Sequence, residues 1–204
     1  MADKFTLDTL DDVLAHYDQP PAPASLAKVA DHLTPAYRAW LEPVKFAVLA
    51  TAGANGIDCS PRGDSEPLFT IEDDRTLLMP DWYGNNRLDT LRNIVSIPAI
   101  GIICLLPGVG ECLRIGGTAT ISIDPKLLER FERDEKSPRS VVTVDISRVY
   151  FQCARALIRS GLWSGDSDAH SVPTAGQMTK SASGDFDADS YDAALRPRQL
   201  KTLW

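Results

Sequence analysis

The chain has 204 residues, which is enough for one domain with a substantial hydrophobic core. Hydrophobic residues make up 44% of it and charged residues 24%, which excludes a globally disordered chain, a collagen-like repeat and a long coiled coil. The 28 acidic residues outnumber the 21 Lys and Arg residues, and the net charge of −7 disfavours binding to nucleic acid or to an anionic membrane. Any bound anion must therefore meet a local basic cluster.

The sequence predicts neither a transmembrane helix nor a secretory signal. The longest uncharged stretch, residues 93–110, is interrupted by prolines and glycines and is typical of a buried strand that ends in a turn. The acidic first residues lack the apolar core of a signal peptide. The four cysteines are widely spaced without a CxxC pair, which indicates free, mostly buried thiols. We therefore expect a cytoplasmic protein.

Residues 1–43 are predicted to form an N-terminal helical arm. Apolar residues recur at helical spacing over residues 7–14, and a second helix is expected from Ser25 to Leu33. Thr34 and Pro35 are typical of the start of a third helix, because the hydroxyl can accept a bond from a free amide and proline suits the first helical position.

Residues 44–163 are predicted to form a β-rich domain, because short apolar and β-branched runs alternate there with turn residues. Strands are expected at Phe46–Thr51, Ile57–Arg62, Pro67–Ile71, Thr76–Met79, Pro98–Leu106, Glu111–Ile115, Thr118–Ile123 and Ser140–Phe151. The short connections favour antiparallel pairing. A closed or nearly closed barrel would remove the exposed edges of a lone sheet.

Two amphipathic helices are expected to interrupt these strands, one from Asn86 to Val95 and one that begins at Asp124. Residues 164–204 are predicted to be a flexible loop and C-terminal tail. The reason is that Ser164 to Asp189 consists mainly of small and polar residues.

The segment that ends at Arg87 is the best anion-binding candidate of the sequence. Asn85 and Asn86 precede a predicted helix that bears Arg87 and Arg92. Free backbone amides, amide side chains and a guanidinium would therefore converge where a phosphate binds well. The alternative is an Asn helix cap followed by surface arginines.

The segment Ser60–Asp64 joins a predicted strand end to a sharp turn. Arg62 lies at the strand end, and Gly63 permits a close approach of the backbone to a flat ligand. The alternative is a tight turn with a surface ion pair between Arg62 and Asp64.

A third segment places Trp163 beside Arg159 and Ser160, where the indole could stack on an aromatic ring. The alternative is a core tryptophan. The three histidines lie outside the β-domain, so the sequence supports neither a histidine-rich metal site nor a Ser/His/Asp triad there. No glycine-rich phosphate loop follows a strand. A bound organic cofactor is expected to supply any demanding chemistry.

With these segments, the sequence resembles the flavin-binding split-barrel proteins related to pyridoxamine 5′-phosphate oxidase, and among them a bacterial subgroup of FMN-dependent enzymes. The resemblance spans about residues 46–163. The motifs that carry it are Phe46–Ala52, Cys59–Asp64, Pro80–Trp82, Asn85–Asn93, Leu113–Gly117 and Arg159–Trp163. It implies a mainly β fold, a six-stranded antiparallel split β-barrel with flanking helices. It also implies a homodimer with two FMN molecules in clefts between the subunits.

The resemblance further implies roles for individual residues. The residues that would border the isoalloxazine ring and the ribityl chain are Ser60, Arg62, Gly63 and Asp64. The residues that would hold the phosphate are Asn85, Asn86 and Arg87. The residues that would close the site from the other subunit are Arg159, Ser160 and Trp163.

The chain departs from the subgroup at two positions near the end of its last predicted strand. Gln152 stands where the subgroup tends to have His, and Arg155 replaces the usual Lys. The basic C-terminal signature with which true pyridoxamine phosphate oxidases bind their substrate is not recognisable in residues 196–204, so that activity is not carried over.

The prediction is an FMN-dependent oxidoreductase in which flavin N5 accepts a hydride equivalent from a small molecule. One alternative is a non-catalytic protein that stores flavin or senses it. Another is a split barrel that binds haem or deazaflavin. The identity of the bound cofactor distinguishes the two flavin hypotheses from a split barrel that binds haem or deazaflavin.

Overall fold

The computed structural model describes residues 5–17, 19–165 and 172–201. Its centre is one seven-stranded antiparallel sheet with the order β2-β1-β5-β6-β7-β4-β3. The strands are β1 (Phe46–Gly53), β2 (Gly56–Gly63), β3 (Thr70–Ile71), β4 (Thr76–Asp81), β5 (Ala99–Leu105), β6 (Cys112–Ser122) and β7 (Ser140–Gln152). The helices in the described ranges are α1 (Leu10–His16), α2 (Pro23–Ala27), α3 (Pro35–Leu41), α4 (Asp89–Ser96), α5 (Pro125–Glu129), α6 (Arg155–Ser160), α7 (Ala175–Ser183) and α8 (Ala188–Lys201).

The larger of two hydrophobic clusters packs against the inner face of the sheet. Side chains alternate between the two faces of each strand, and those on the inner face of β1, β4, β5, β6 and β7 are buried together. Leu49, Leu77 and Val144, from three different strands, are completely buried. The predicted antiparallel split barrel with flanking helices is confirmed, although the sheet has seven strands rather than six because β3 adds a two-residue edge strand.

Strand β6 differs from its prediction, since one continuous strand replaces the two that were expected on either side of Gly116 and Gly117. The pairing with β7 shifts register between these two glycines, which marks a β-bulge. A Cβ atom on Gly117 would lie 1.9 Å from the carbonyl oxygen of Asp145, so the backbones approach too closely there for any side chain. The glycines therefore bend a strand that they were expected to end.

The N-terminal segment is partly integrated into the barrel. Helix α2 is shorter than the predicted Ser25–Leu33, because Ala30 forms a β-bridge with Val149 and its backbone is therefore not helical. Helix α3 begins as predicted, with the Thr34 hydroxyl accepting a bond from a backbone amide of the first turn. Leu33 and Leu41 lie in the barrel core.

The prediction of a long loop from Ser164 to Asp189 is wrong where α7 and the start of α8 lie. Small and polar residues form helix there because the hydroxyl of Thr174 caps α7 and Asp192 of α8 accepts bonds from that hydroxyl and from the amide of Gly176. Residues 166–171 and 202–204 lie outside the described residues. No helix in the described part of the chain is long and apolar enough to cross a membrane.

Candidate functional site

A cleft of about 850 Å³ opens where β2 and β4 end and the loop of residues 82–88 leads into α4. The pairing of Asp81 with Ser140 brings the start of β7 to the same place. The predicted cofactor-binding residues that line the cleft are Ser60, Arg62, Gly63, Asp64, Asn85, Asn86 and Arg87. The tertiary structure thus brings together two segments that are separate in the sequence.

The β2 side of the cleft presents Arg62. Its guanidinium donates to the hydroxyl of Ser60 and to the carbonyl of Pro61. The alternative of an ion pair between Arg62 and Asp64 is wrong, because Arg133 Nη1 donates to both carboxylate oxygens of Asp64, at 2.8 and 3.0 Å. The Asp64 side chain is only 3% exposed, so this carboxylate interacts with Arg133 and not with solvent.

The loop side of the cleft presents Arg87, which the structure places before α4 rather than on it. The helix begins only at Asp89, after Leu88 in a left-handed conformation, and no side chain caps it. Both the predicted helix start and the Asn-cap alternative are therefore wrong. Instead, Asn85 Oδ1 accepts from the amide of Arg87 at 3.1 Å within the loop. The Arg87 side chain is 73% exposed and its Nε donates to Asp89 at 2.8 Å.

Arg139 is a cleft residue that sequence reasoning missed. Its Nη1 donates to Asn86 Oδ1 at 2.7 Å, and its guanidinium lies 5.3 Å from the centre of the Tyr83 ring. Its backbone amide donates to the carbonyl of Asp81 at 2.9 Å, which fixes the chain beside the loop. No motif surrounds Arg139, and only the pairing of β4 with β7 brings it to the cleft.

Two buried polar atoms at the cleft have no hydrogen-bond partner among the residues that the structure describes, namely the indole nitrogen of Trp82 and the hydroxyl of Ser140. Ser140 is only 5% exposed. Buried donors are nearly always hydrogen-bonded, so a bound molecule or an ordered water is expected to complete this part of the cleft. The guanidinium of Arg133 lies 5.3 Å from the centre of the Trp82 ring and covers one of its faces.

Asp81 is a partly buried carboxyl group of the cleft lining. Removal from water raises its pKa, and the positive charges of Arg62 and Arg139 act in the opposite direction. Asp81 therefore keeps its proton to a higher pH than an exposed aspartate does. A carboxyl group of this kind can exchange a proton with a ligand.

The third predicted segment does not line this cleft. Arg159 and Ser160 lie at the end of α6, where the Ser160 hydroxyl donates to the carbonyl of Leu157 at 3.1 Å. Trp163 donates from its indole nitrogen to the carbonyl of Val109 at 2.9 Å. The alternative of a core tryptophan is wrong, since Trp163 is 39% exposed.

The family model for pyridoxamine 5′-phosphate oxidase matches residues 33–153 of the chain. No curated protein matches the sequence significantly.

Several solved structures are similar in fold. HupZ from Group A Streptococcus is 20% identical, with a TM-score of 0.48, and the match covers 59% of this chain and 99% of that chain. The FAD binding protein from Mycobacterium smegmatis is 16% identical, with a TM-score of 0.42 and coverage of 60% and 97%. General stress protein 26 from Bacillus anthracis is 13% identical, with a TM-score of 0.43 and coverage of 56% and 88%.

Proposed function

Since the chain belongs to the pyridoxamine 5′-phosphate oxidase family, we propose that it binds FMN in this cleft and acts as an FMN-dependent oxidoreductase on a small molecule. The observation that carries the proposal is the convergence of Ser60–Asp64 and Asn85–Arg87 on one cleft. These are the two segments whose polar groups suit a flat ligand and a phosphate. Neither segment would need to face the other if each were only a surface turn.

The residues of the cleft fit the chemistry of FMN. Its volume of about 850 Å³ falls in the range of small-molecule sites. Asn85, Asn86 and Arg87 offer amide and guanidinium donors for a phosphate, and Arg62 offers donors for the ribityl chain or the ring. The buried and unpartnered Trp82 indole and Ser140 hydroxyl are a further place for a polar ligand group.

The donor set favours a flavin over haem. Haem iron is held by His, Cys, Met or Tyr side chains. Among the described residues that line the cleft, only Tyr83 is of these types, and its ring lies against the Arg139 guanidinium. Arginines and amides are instead the groups that bind the phosphate of a nucleotide.

FMN supplies, when bound, a two-electron hydride acceptor at N5. The protein contributes binding and orientation through Arg62, Asn85 and Arg87. Leu68 and Ile121 add apolar surface to the lining of the cleft. Asp81 is the carboxyl group available to hold or release a proton there, because burial raises its pKa.

We propose that the protein is a homodimer and that Arg159, Ser160 and Trp163 of the partner subunit close the cleft. The outer face of β1 and β5 supports a dimer because it is apolar yet uncovered in the single chain. The side chains on this face are Phe46, Val48 and Ala50 of β1 and Ile103 and Leu105 of β5. Phe46 and Ile103 are 40% and 42% exposed. Light scattering is expected to show a dimer at micromolar concentration.

A cytoplasmic location is part of the proposal and is supported by the cysteines. All four are free thiols, with Cys104 and Cys112 buried, Cys153 partly buried and Cys59 exposed. Free thiols persist in a reducing compartment.

The test of the proposed function is the cofactor that copurifies. Purified protein is expected to be yellow and to release FMN, identified by mass, on denaturation. A haem spectrum, a deazaflavin, or a colourless protein that fails to take up added FMN would contradict the proposal. Anaerobic reduction by NADH or NADPH followed by reoxidation with candidate acceptors then separates an enzyme from a flavin carrier. A bound flavin that no donor reduces would favour the carrier.

A further inference from the structure

We propose that Arg139 is a phosphate-binding residue of the cleft, acting with Asn86 on the side of the 82–88 loop. The assignment rests on the proposed function, since the phosphate is that of FMN. It concerns a residue to which neither the sequence motifs nor the family resemblance gives a role.

The distribution of charge around the cleft is the first argument. Arg87 donates to the carboxylate of Asp89, and Arg133 donates to that of Asp64. Both guanidinium groups therefore already have a carboxylate partner. The sequence motif points to Arg87, yet its Nε donates to Asp89, so part of its donor capacity is used within the protein.

Arg62 and Arg139 are different, because among the described residues neither lies within ion-pair distance of a carboxylate. Arg62 donates to a hydroxyl and a carbonyl, and Arg139 donates to an amide oxygen. Asp81 is the acidic group whose charge acts on both arginines, and it forms an ion pair with neither. Both guanidinium groups therefore have N–H donors that no carboxylate engages and that an anionic ligand could use.

The position of Arg139 is the second argument. Its Nη1 contacts Asn86, a member of the predicted phosphate segment, and its guanidinium lies against the Tyr83 ring of the same loop. Arg62 lies on β2 and donates to Ser60 and Pro61 rather than to this segment. Among the described residues, Arg139 is therefore the cation without a carboxylate partner that contacts the predicted phosphate segment.

The shape of a guanidinium is the third argument. Arginine has five N–H donors in a planar fork, so one nitrogen can hold Asn86 while the others bind phosphate oxygens. The contacts with Asn86 and Tyr83 fix the orientation of the fork before a ligand arrives, which reduces the entropy lost on binding. Asn86 itself has a left-handed backbone at φ 57°, a conformation that a hydrogen bond to its side chain helps to hold.

The test compares FMN with riboflavin, which lacks the phosphate, by fluorescence titration of apoprotein. Arg139→Gln is expected to weaken FMN about 30-fold, because hydrogen bonds to a charged group are lost, and to leave riboflavin within about twofold. Arg139→Lys keeps the charge without the fork, and its FMN affinity is expected to lie between the two. Arg92→Ala is the control, since this exposed residue of α4 does not line the cleft.

Each outcome separates the two proposals. If wild-type protein binds FMN and Arg139→Gln binds it equally well, Arg139 does not hold the phosphate and the assignment is overturned alone. An equal loss of FMN and riboflavin in both Arg139→Gln and Arg139→Lys also overturns it, because the residue would then only support the fold. Wild-type protein that binds neither flavin would overturn the proposed function and this assignment together.

Discussion

The loop of residues 82–88 and the segment 159–163 look alike in sequence, since each combines aromatic, Arg and small polar residues. In the structure they differ. The loop lines the cleft and is held there by Arg139 and Asn85, whereas the indole of Trp163 contacts the turn at Val109. A local pattern can therefore mark a segment as a binding candidate without showing where in the fold that segment lies.

The largest expected effect tests whether the contacts at the cleft contribute more to the stability of the fold than those of the 159–163 segment do. Arg133→Ala leaves the buried Asp64 carboxylate unpaired and is expected to lower the free energy of unfolding by about 2–4 kcal/mol. Arg159→Ala at the exposed end of α6 is expected to change it by less than about 0.5 kcal/mol. Urea denaturation measures both, and equal losses would remove the distinction between the two regions.

The next effect concerns Trp163. If this indole stacks on the flavin ring across a dimer interface, Trp163→Ala is expected to weaken FMN and riboflavin equally, by about tenfold. Mixing Trp163→Ala with Arg62→Ala subunits then tests action in trans. Mixed dimers contain one intact site each, so high-affinity FMN binding should reappear only after the subunits exchange. No recovery in verified mixed dimers would place Trp163 outside the partner's site.

A smaller effect is expected for Arg87, because the residue is exposed and already paired with Asp89. Arg87→Ala is expected to weaken FMN about fivefold and riboflavin not at all. Asp89→Asn is the companion variant, since it frees the guanidinium and is expected to tighten FMN slightly. Isothermal titration of both variants checks the pair. Weaker FMN binding by Asp89→Asn would mean that Arg87 works only as part of the ion pair.

The smallest effect is a dependence of stability on pH that comes from Asp81, the last residue of β4, which lines the cleft. The pKa of Asp81 is raised in the folded state above its ordinary value near 3.8, so the folded protein binds this proton more tightly than the unfolded chain. The stabilisation from the proton is complete below about 3.8 and is lost as the pH rises through the raised pKa. Asp81→Asn should therefore gain stability relative to wild type over that window. Melting temperatures measured from pH 3 to 8 that run parallel would contradict it.

The sequence alone determined most of the barrel. Short apolar runs bounded by turn residues mark β1 and β5, and Thr34 with Pro35 marks the start of α3, because these signals act between neighbours in the chain. The segments Ser60–Asp64 and Asn85–Arg87 were also recognisable from local residue types, although their meeting in one cleft was implied only by the family resemblance. Such features can be predicted without knowledge of distant contacts, because they depend on residues that are neighbours in the sequence.

Only the tertiary structure decided the remaining parts of the site. Arg139 reaches Asn86 because Asp81 pairs with Ser140 across two strands, and Arg133 reaches Asp64 from a segment that has no motif. Gly117 was expected to end a strand, yet the close approach of Asp145 turns it into a bulge within one. The reason is physical: each of these outcomes depends on strand register and on groups far apart in sequence, and local residue preferences carry no information about either.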